Sequence, residues 1–136
     1  MIVVDASVWV SRLVSQDVNF AASERWMAAQ RANSTLLVSP SLLLCEVAGA
    51  ISRRTGQPGL GHQAVSHLLR LTGLRLVNMD EKLVRSAAGL AADYGLRSAD
   101  AVYVTLAKQL NFPLATWDRE QLHKASEIIN TQTPQI

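Results

Sequence analysis

Ile2-Val3-Val4-Asp5-Ala6-Ser7-Val8-Trp9-Val10 opens the chain, and its reading decides the fold. Three apolar residues in succession leave no polar face, so Ile2 to Val4 reads as a short strand buried on both sides. The sequence turns helical from about Ser7 to Val14, and Asp5 stands where one element becomes the other. A strand with two buried faces belongs to a parallel sheet covered by helices.

The rest of the chain repeats that alternation. Leu36 to Val38, Leu74 to Asn78 and Leu114 to Thr116 read as further strands, with Glu127 to Ile129 as a last one. Helical stretches run over Phe20 to Arg31, Ser41 to Arg54, Gly61 to Leu71, Asp80 to Tyr94 and Ser98 to Leu110, and Asp118 begins another. Ser39-Pro40-Ser41 has the chemistry of a helix start, while Thr55-Gly56-Gln57-Pro58-Gly59 and Gly95 have that of helix ends. The expected fold class is α/β, a three-layer α/β/α sandwich around a central parallel sheet of about four or five short strands. Residues 1–136 read as a single domain, with a polar tail from Asn130 expected to fray.

Composition narrows the function. With 136 residues, 49% of them hydrophobic, the chain can bury one substantial core. No apolar run approaches the roughly 20 residues needed to cross a bilayer, and Met1 to Asp5 lacks the basic start of a secretory signal, so a soluble, cytoplasmic protein is expected. The lone Cys45 has no disulfide partner, and its apolar neighbours predict a small buried side chain. Net charge is +2, but removing Asp5, Glu46, Asp100 and Asp118 from the 11 acids leaves seven against 13 bases. If those four share a pocket, the remaining surface is basic and suits a polyanion.

Each of the four acids sits in or beside apolar sequence. Helix capping accounts for Asp5 on its own, and Asp118 followed by Gln121 has the spacing of a capping box. Asp100 falls in the first turn after Ser98, where the helix dipole favours an acid and Arg97 can pair with it. Glu46 resists such explanations, because its helical face is shared with Leu42, Leu43, Gly49 and Ala50 and holds no basic residue within a turn. A carboxylate aimed at the core needs a partner, a proton or a metal ion. Arg53, two turns along, is the alternative partner. Four oxygen donors suit Mg²⁺ or Mn²⁺ rather than zinc, and His62, His67 and His123 lack ligand spacing and read as surface residues. Ser7 and Thr116, each two residues from an acid, could orient a carboxylate or simply serve a helix start. Asp93, near a helix end, reads as solvent-facing and outside the site.

The set Val-Val-Asp5-Ala-Ser7, Leu-Leu-Leu-Cys-Glu46-Val-Ala, Tyr-Gly-Leu-Arg-Ser-Ala-Asp100-Ala-Val-Tyr and Leu-Ala-Thr116-Trp-Asp118 resembles, in this order, the PIN-domain nucleases, particularly toxins of the VapC type. The resemblance spans almost the whole chain. It implies a Mg²⁺- or Mn²⁺-dependent endoribonuclease, the toxin of a toxin–antitoxin pair, with Asp5, Glu46, Asp100 and Asp118 as acidic quartet and Ser7 and Thr116 as supporting hydroxyls. It also implies an RNA substrate, a small antitoxin partner and a homodimer. Trp9, Trp26 and Phe20 offer apolar anchors for such a partner. The competing reading is a catalytically inactive PIN-like scaffold that binds RNA or protein. A phosphatase would want a second acid where Ser7 stands, and a receiver domain an acid pair and a late lysine, so neither pattern is present.

Overall fold

The structure, a computed structural model, describes residues 1–135; Ile136 lies outside the described residues. Strand β1 (Ile2–Val4) passes into α1 (Ala6–Leu13) and α2 (Phe20–Ala32), then β2 (Leu37–Pro40), α3 (Leu43–Thr55) and α4 (Pro58–Arg70). β3 (Leu74–Val77), α5 (Glu81–Tyr94), α6 (Ser98–Leu110), β4 (Leu114–Ala115), α7 (Arg119–Ala125) and β5 (Thr131–Gln132) complete it. The five strands form one sheet in the order β3-β2-β1-β4-β5, every neighbouring pair parallel. This is the expected α/β/α sandwich. No helix among the described residues is long and apolar enough to cross a membrane.

β1, β2 and β4 form the enclosed centre of the sheet, with Val3, Val4, Leu114 and Ala115 at 0% exposure and every residue of β2 buried. That burial is why Ile2 to Val4 carries no polar alternation. α6 packs across β1, β2 and β4 with α5 against it, and its run from Ala101 to Ala107 is buried throughout. α3 and α4 make an antiparallel hairpin so close that a side chain on Gly61 would meet the Ala48 carbonyl oxygen at 2.8 Å. Gly56 ends α3 in the left-handed region, φ 68°, where a residue with a Cβ is strained.

Three local readings are corrected. Pro40 does not start a helix: it is the last residue of β2, paired with Val77, and α3 begins at Leu43 without a side-chain cap. A proline is tolerated at a strand terminus, where one ladder donor fewer is needed. The last strand is Thr131–Gln132 rather than Glu127 to Ile129, which form a turn, so the polar tail is held as an edge strand against β4. Two adjacent isoleucines mimic a strand, but Ile128 and Ile129 pack on the core from the turn. Cys45 is exposed on α3 because its helical neighbour Leu43 takes the core-facing position.

Candidate functional site

The site follows from the order of the strands. From β1 the chain crosses to β2 on one side, whereas β4 lies on the other, so connections leave in opposite directions between β1 and β4. A crevice opens at such a reversal, beyond the carboxyl ends of the strands. Val4 is in register with Ala115, so Asp5 and Thr116 leave the sheet side by side. Together with Glu46 from α3, Asp100 from α6 and Asp118 before α7, they border a cleft of about 750 Å³, except that Thr116 is wholly buried beneath it.

The two strand-end acids are built into the backbone. Asp5 caps α1: its Oδ2 accepts the Ser7 amide at 3.1 Å and the Thr116 hydroxyl at 3.1 Å. Asp118 caps α7 through Oδ1, which accepts the amides of Glu120 at 2.9 Å and Gln121 at 3.1 Å. Capping is thus a true reading of both. Each cap occupies one carboxylate oxygen and leaves the other for the cleft.

Thr116 and Ser7 join these acids. The Thr116 hydroxyl accepts the Asp118 amide at 3.0 Å, and the Ser7 hydroxyl, 3.3 Å from it, accepts the Trp117 amide at 3.0 Å. Gln121, wholly buried, places Oε1 2.8 Å from Thr116 Oγ1 and leaves its Nε2 without a partner. Thr116 has one proton for two acceptors. Turning the Gln121 amide over resolves this, since Nε2 then donates to Thr116 and the threonine proton is free for Asp5.

The two helix-borne acids have no such support. Glu46 Oε1 is buried and hydrogen-bonded to nothing. The buried Tyr103 hydroxyl approaches it closely enough to favour the charged form, yet neither atom closes a hydrogen bond. Arg53, the alternative partner, does not pair with Glu46; its guanidinium stops beside Gly49. Among the described residues Asp100 pairs only with Arg97, whose Nε is 3.8 Å away. The same guanidinium lies 3.6 Å from Asp118 and 2.9 Å from Glu120, which Lys124 also holds at 3.0 Å.

Charge repulsion and burial show in the acidities. Burial pushes the Asp100 carboxyl up to about 6, helped by the charges of Asp5 and Asp118 and opposed by Arg97. Burial likewise raises Asp5, against the hydrogen bonds from Ser7 and Thr116, and raises Glu46. Tyr103 is pushed far up by burial and by the negative charges of Glu46 and Asp5. Glu120, on the surface, is held below the usual range by its bond to Lys124 and the charges of Lys124 and Arg97.

The residues fit a hard divalent cation chemically: oxygen donors only, mutual repulsion, and a buried carboxylate oxygen without a partner. They are not drawn tight, since among the described residues no three acidic, histidine or cysteine side chains form a ready-made metal-holding group.

Other sequence-predicted residues lie outside this network. His62, His67 and His123 are exposed, as expected, and exposed Asp93 does not border the cleft. Trp9 and Trp26, expected as partner anchors, are 3% exposed and belong to the protein's own core. They fill the space under α1 and α2 that those helices must cover. Phe20 is half-buried beneath the Arg12 guanidinium. Sequence reasoning gave no site role to Tyr103, Gln121 or Trp117. Tyr103 could have been found one helical turn after Asp100, and Gln121 was visible only as a capping residue.

The PIN domain family model matches residues 2–127. The chain belongs to the PIN domain family. Searching curated proteins finds no match. Among solved structures, this PIN domain is similar to VapC20 of Mycobacterium tuberculosis, described as a sarcin–ricin loop cleaving toxin, at 17% identity and a TM-score of 0.81, covering 95% of this chain and 97% of that one. VapBC2 of Rickettsia felis, bound to a DNA fragment from its promoter, matches at 13% identity and a TM-score of 0.72, with 98% of each chain covered. FitAcB of Neisseria gonorrhoeae matches at 19% identity and a TM-score of 0.71, again over 98% of each. At these identities the likeness is one of fold.

Proposed function

We propose that this PIN domain is a Mg²⁺- or Mn²⁺-dependent endoribonuclease and the toxin of a type II toxin–antitoxin pair. The observation that carries the reading is Glu46, a carboxylate with a buried, partnerless oxygen, placed in a cleft with Asp5, Asp100 and Asp118. Family membership and the likeness to toxins of this fold support it.

Asp5, Asp100 and Asp118, with Glu46, would hold the cation. When bound, a divalent ion supplies Lewis-acid polarisation of a phosphodiester and a more acidic water at neutral pH. The protein's own part is positioning. Thr116 and Ser7 fix the strand-end network, so that Asp5 and Asp118 each present one oxygen to the cleft. Tyr103 favours the charged form of Glu46, the form that binds a cation. Hydrolysis would leave a 5′-phosphate on the downstream fragment.

The antitoxin needs its own surface. A second groove of about 1120 Å³ runs between the end of α1 and the α3–α4 hairpin, with Leu13, Ile51 and Leu60 among its apolar lining and Arg54, His67 and Arg70 among its polar lining. That chemistry suits a segment carrying apolar and acidic residues. A homodimer is part of the same reading.

The test uses protein freed of antitoxin and of metal. Structured RNA should be cut only after Mg²⁺ or Mn²⁺ is added, and Asp5→Asn or Asp100→Asn should slow cutting by roughly 100-fold or more. Equal cleavage by all three proteins, or cleavage that survives chelator, sinks the assignment.

A further inference from the structure

Arg53 and Arg54 are neighbours in the last turn of α3 and meet opposite fates. Arg54 reaches Asp17, Nη1 to Oδ2 at 2.7 Å, and ties the α1–α2 loop to the helix. Arg53 borders the cleft of four acids, yet among the described residues it has no acidic partner.

Its place is set by a side chain that is absent. A methyl group on Gly49 would lie 3.0 Å from Arg53 Nη1 and 3.9 Å from its Cζ, with nothing else within 4 Å. Gly49 is one turn N-terminal to Arg53, so the arginine lies back along α3, as helical side chains do. The guanidinium therefore rests against the helix backbone, one turn short of Glu46. Any larger residue at position 49 would compete with it for that space.

We infer that Arg53, laid over Gly49, is a phosphate-binding arm of the cleft that positions the RNA backbone, with Gly49 providing the clearance. The inference rests on the ribonuclease reading above. Arg97 is already shared among Asp100, Asp118 and Glu120, and Arg54 is committed to Asp17. Arg53 keeps its full set of donors, in the fork geometry that matches phosphate oxygens. It also sets a positive charge beside acids that would otherwise repel a polyanion.

The experiment measures anisotropy of a fluorescent single-stranded oligoribonucleotide with Mg²⁺ present, in an Asp100→Asn parent, whose slowed cutting lets binding be read first. Salt is varied from about 50 to 200 mM. Arg53→Gln should weaken binding about five- to tenfold at low salt and lower the slope of log affinity against log salt by about 0.7, one phosphate contact. Gly49→Ala should weaken binding less, and Gly49→Leu about as much as Arg53→Gln, with melting temperatures confirming intact folds. Arg85→Gln, which removes an exposed pair with Glu81 on α5, should change neither affinity nor slope. Parental affinity and slope in Arg53→Gln and Gly49→Leu, with the parent binding normally, overturn the role of Arg53. A parent whose affinity ignores salt, or failure of both the parent and the wild type to bind, overturns the RNA reading and this inference with it.

Discussion

The cleft has two halves made in different ways. At the strand ends, Asp5 and Asp118 are hydrogen-bonded to the amides of the helices they start, and Thr116 links them through its hydroxyl. On the helices, Glu46 and Asp100 point into the same cleft with no comparable support; burial raises the pKa of both, as it does that of Asp5, but without amide donors to offset it. The same residue type thus serves opposite ends in one site: the first pair helps make the fold, and the second is held in place by it. A side chain that the fold supports at its own expense is the better indicator of function.

Changes to the two halves should therefore move stability in opposite directions. The largest effect is expected at the strand ends, where Thr116→Val should cost about 2 to 3 kcal/mol in urea unfolding, since it strands the Asp118 amide and strips Asp5 of a donor. A neutral result there would mean that the hydroxyl network is incidental.

Asp100→Asn should do the reverse and stabilise the metal-free protein at pH 7 by about 1 to 2 kcal/mol. The sign follows from linkage. The folded-state value of about 6 is above the ordinary 3.8, so the folded protein holds its proton more tightly, and ionisation costs stability as pH rises from about 4 through 6. The gain from asparagine should fade on acidification across that window, and a gain independent of pH would show that charge is not its origin. Glu46→Gln should give the smallest change, a stabilisation of about 1 kcal/mol or less at neutral pH, because the amide can donate to Tyr103 where the carboxylate bonds to nothing. Destabilisation by that substitution would place Glu46 with the strand-end pair.

Much of this was legible beforehand. Apolar runs marked β1 and β4, Asp80 and Gly95 marked the ends of α5, and the missing local partner of Glu46 set it apart from a surface acid. What failed did so for tertiary reasons. Pro40 has the local chemistry of a helix start, and only its pairing with Val77 makes it a strand end. Thr131 and Gln132 have no strand pattern and are ordered by the free edge of β4. Trp9 and Trp26 are equally good anchors for a partner or for a core, and spacing does not distinguish the two.

The sequence by itself determined the alternation of strands and helices, the oxygen-only chemistry of the acids and the helix faces on which Glu46 and Asp100 lie. These depend on residue type and on periods of two and 3.6 residues, which are local. Tertiary structure alone decided that β1 and β4 are neighbours, so that residues more than a hundred positions apart share a hydroxyl, and that Arg54 is occupied while Arg53 is not. Register and ion pairing are set by what the chain brings together from a distance, and no local pattern records that.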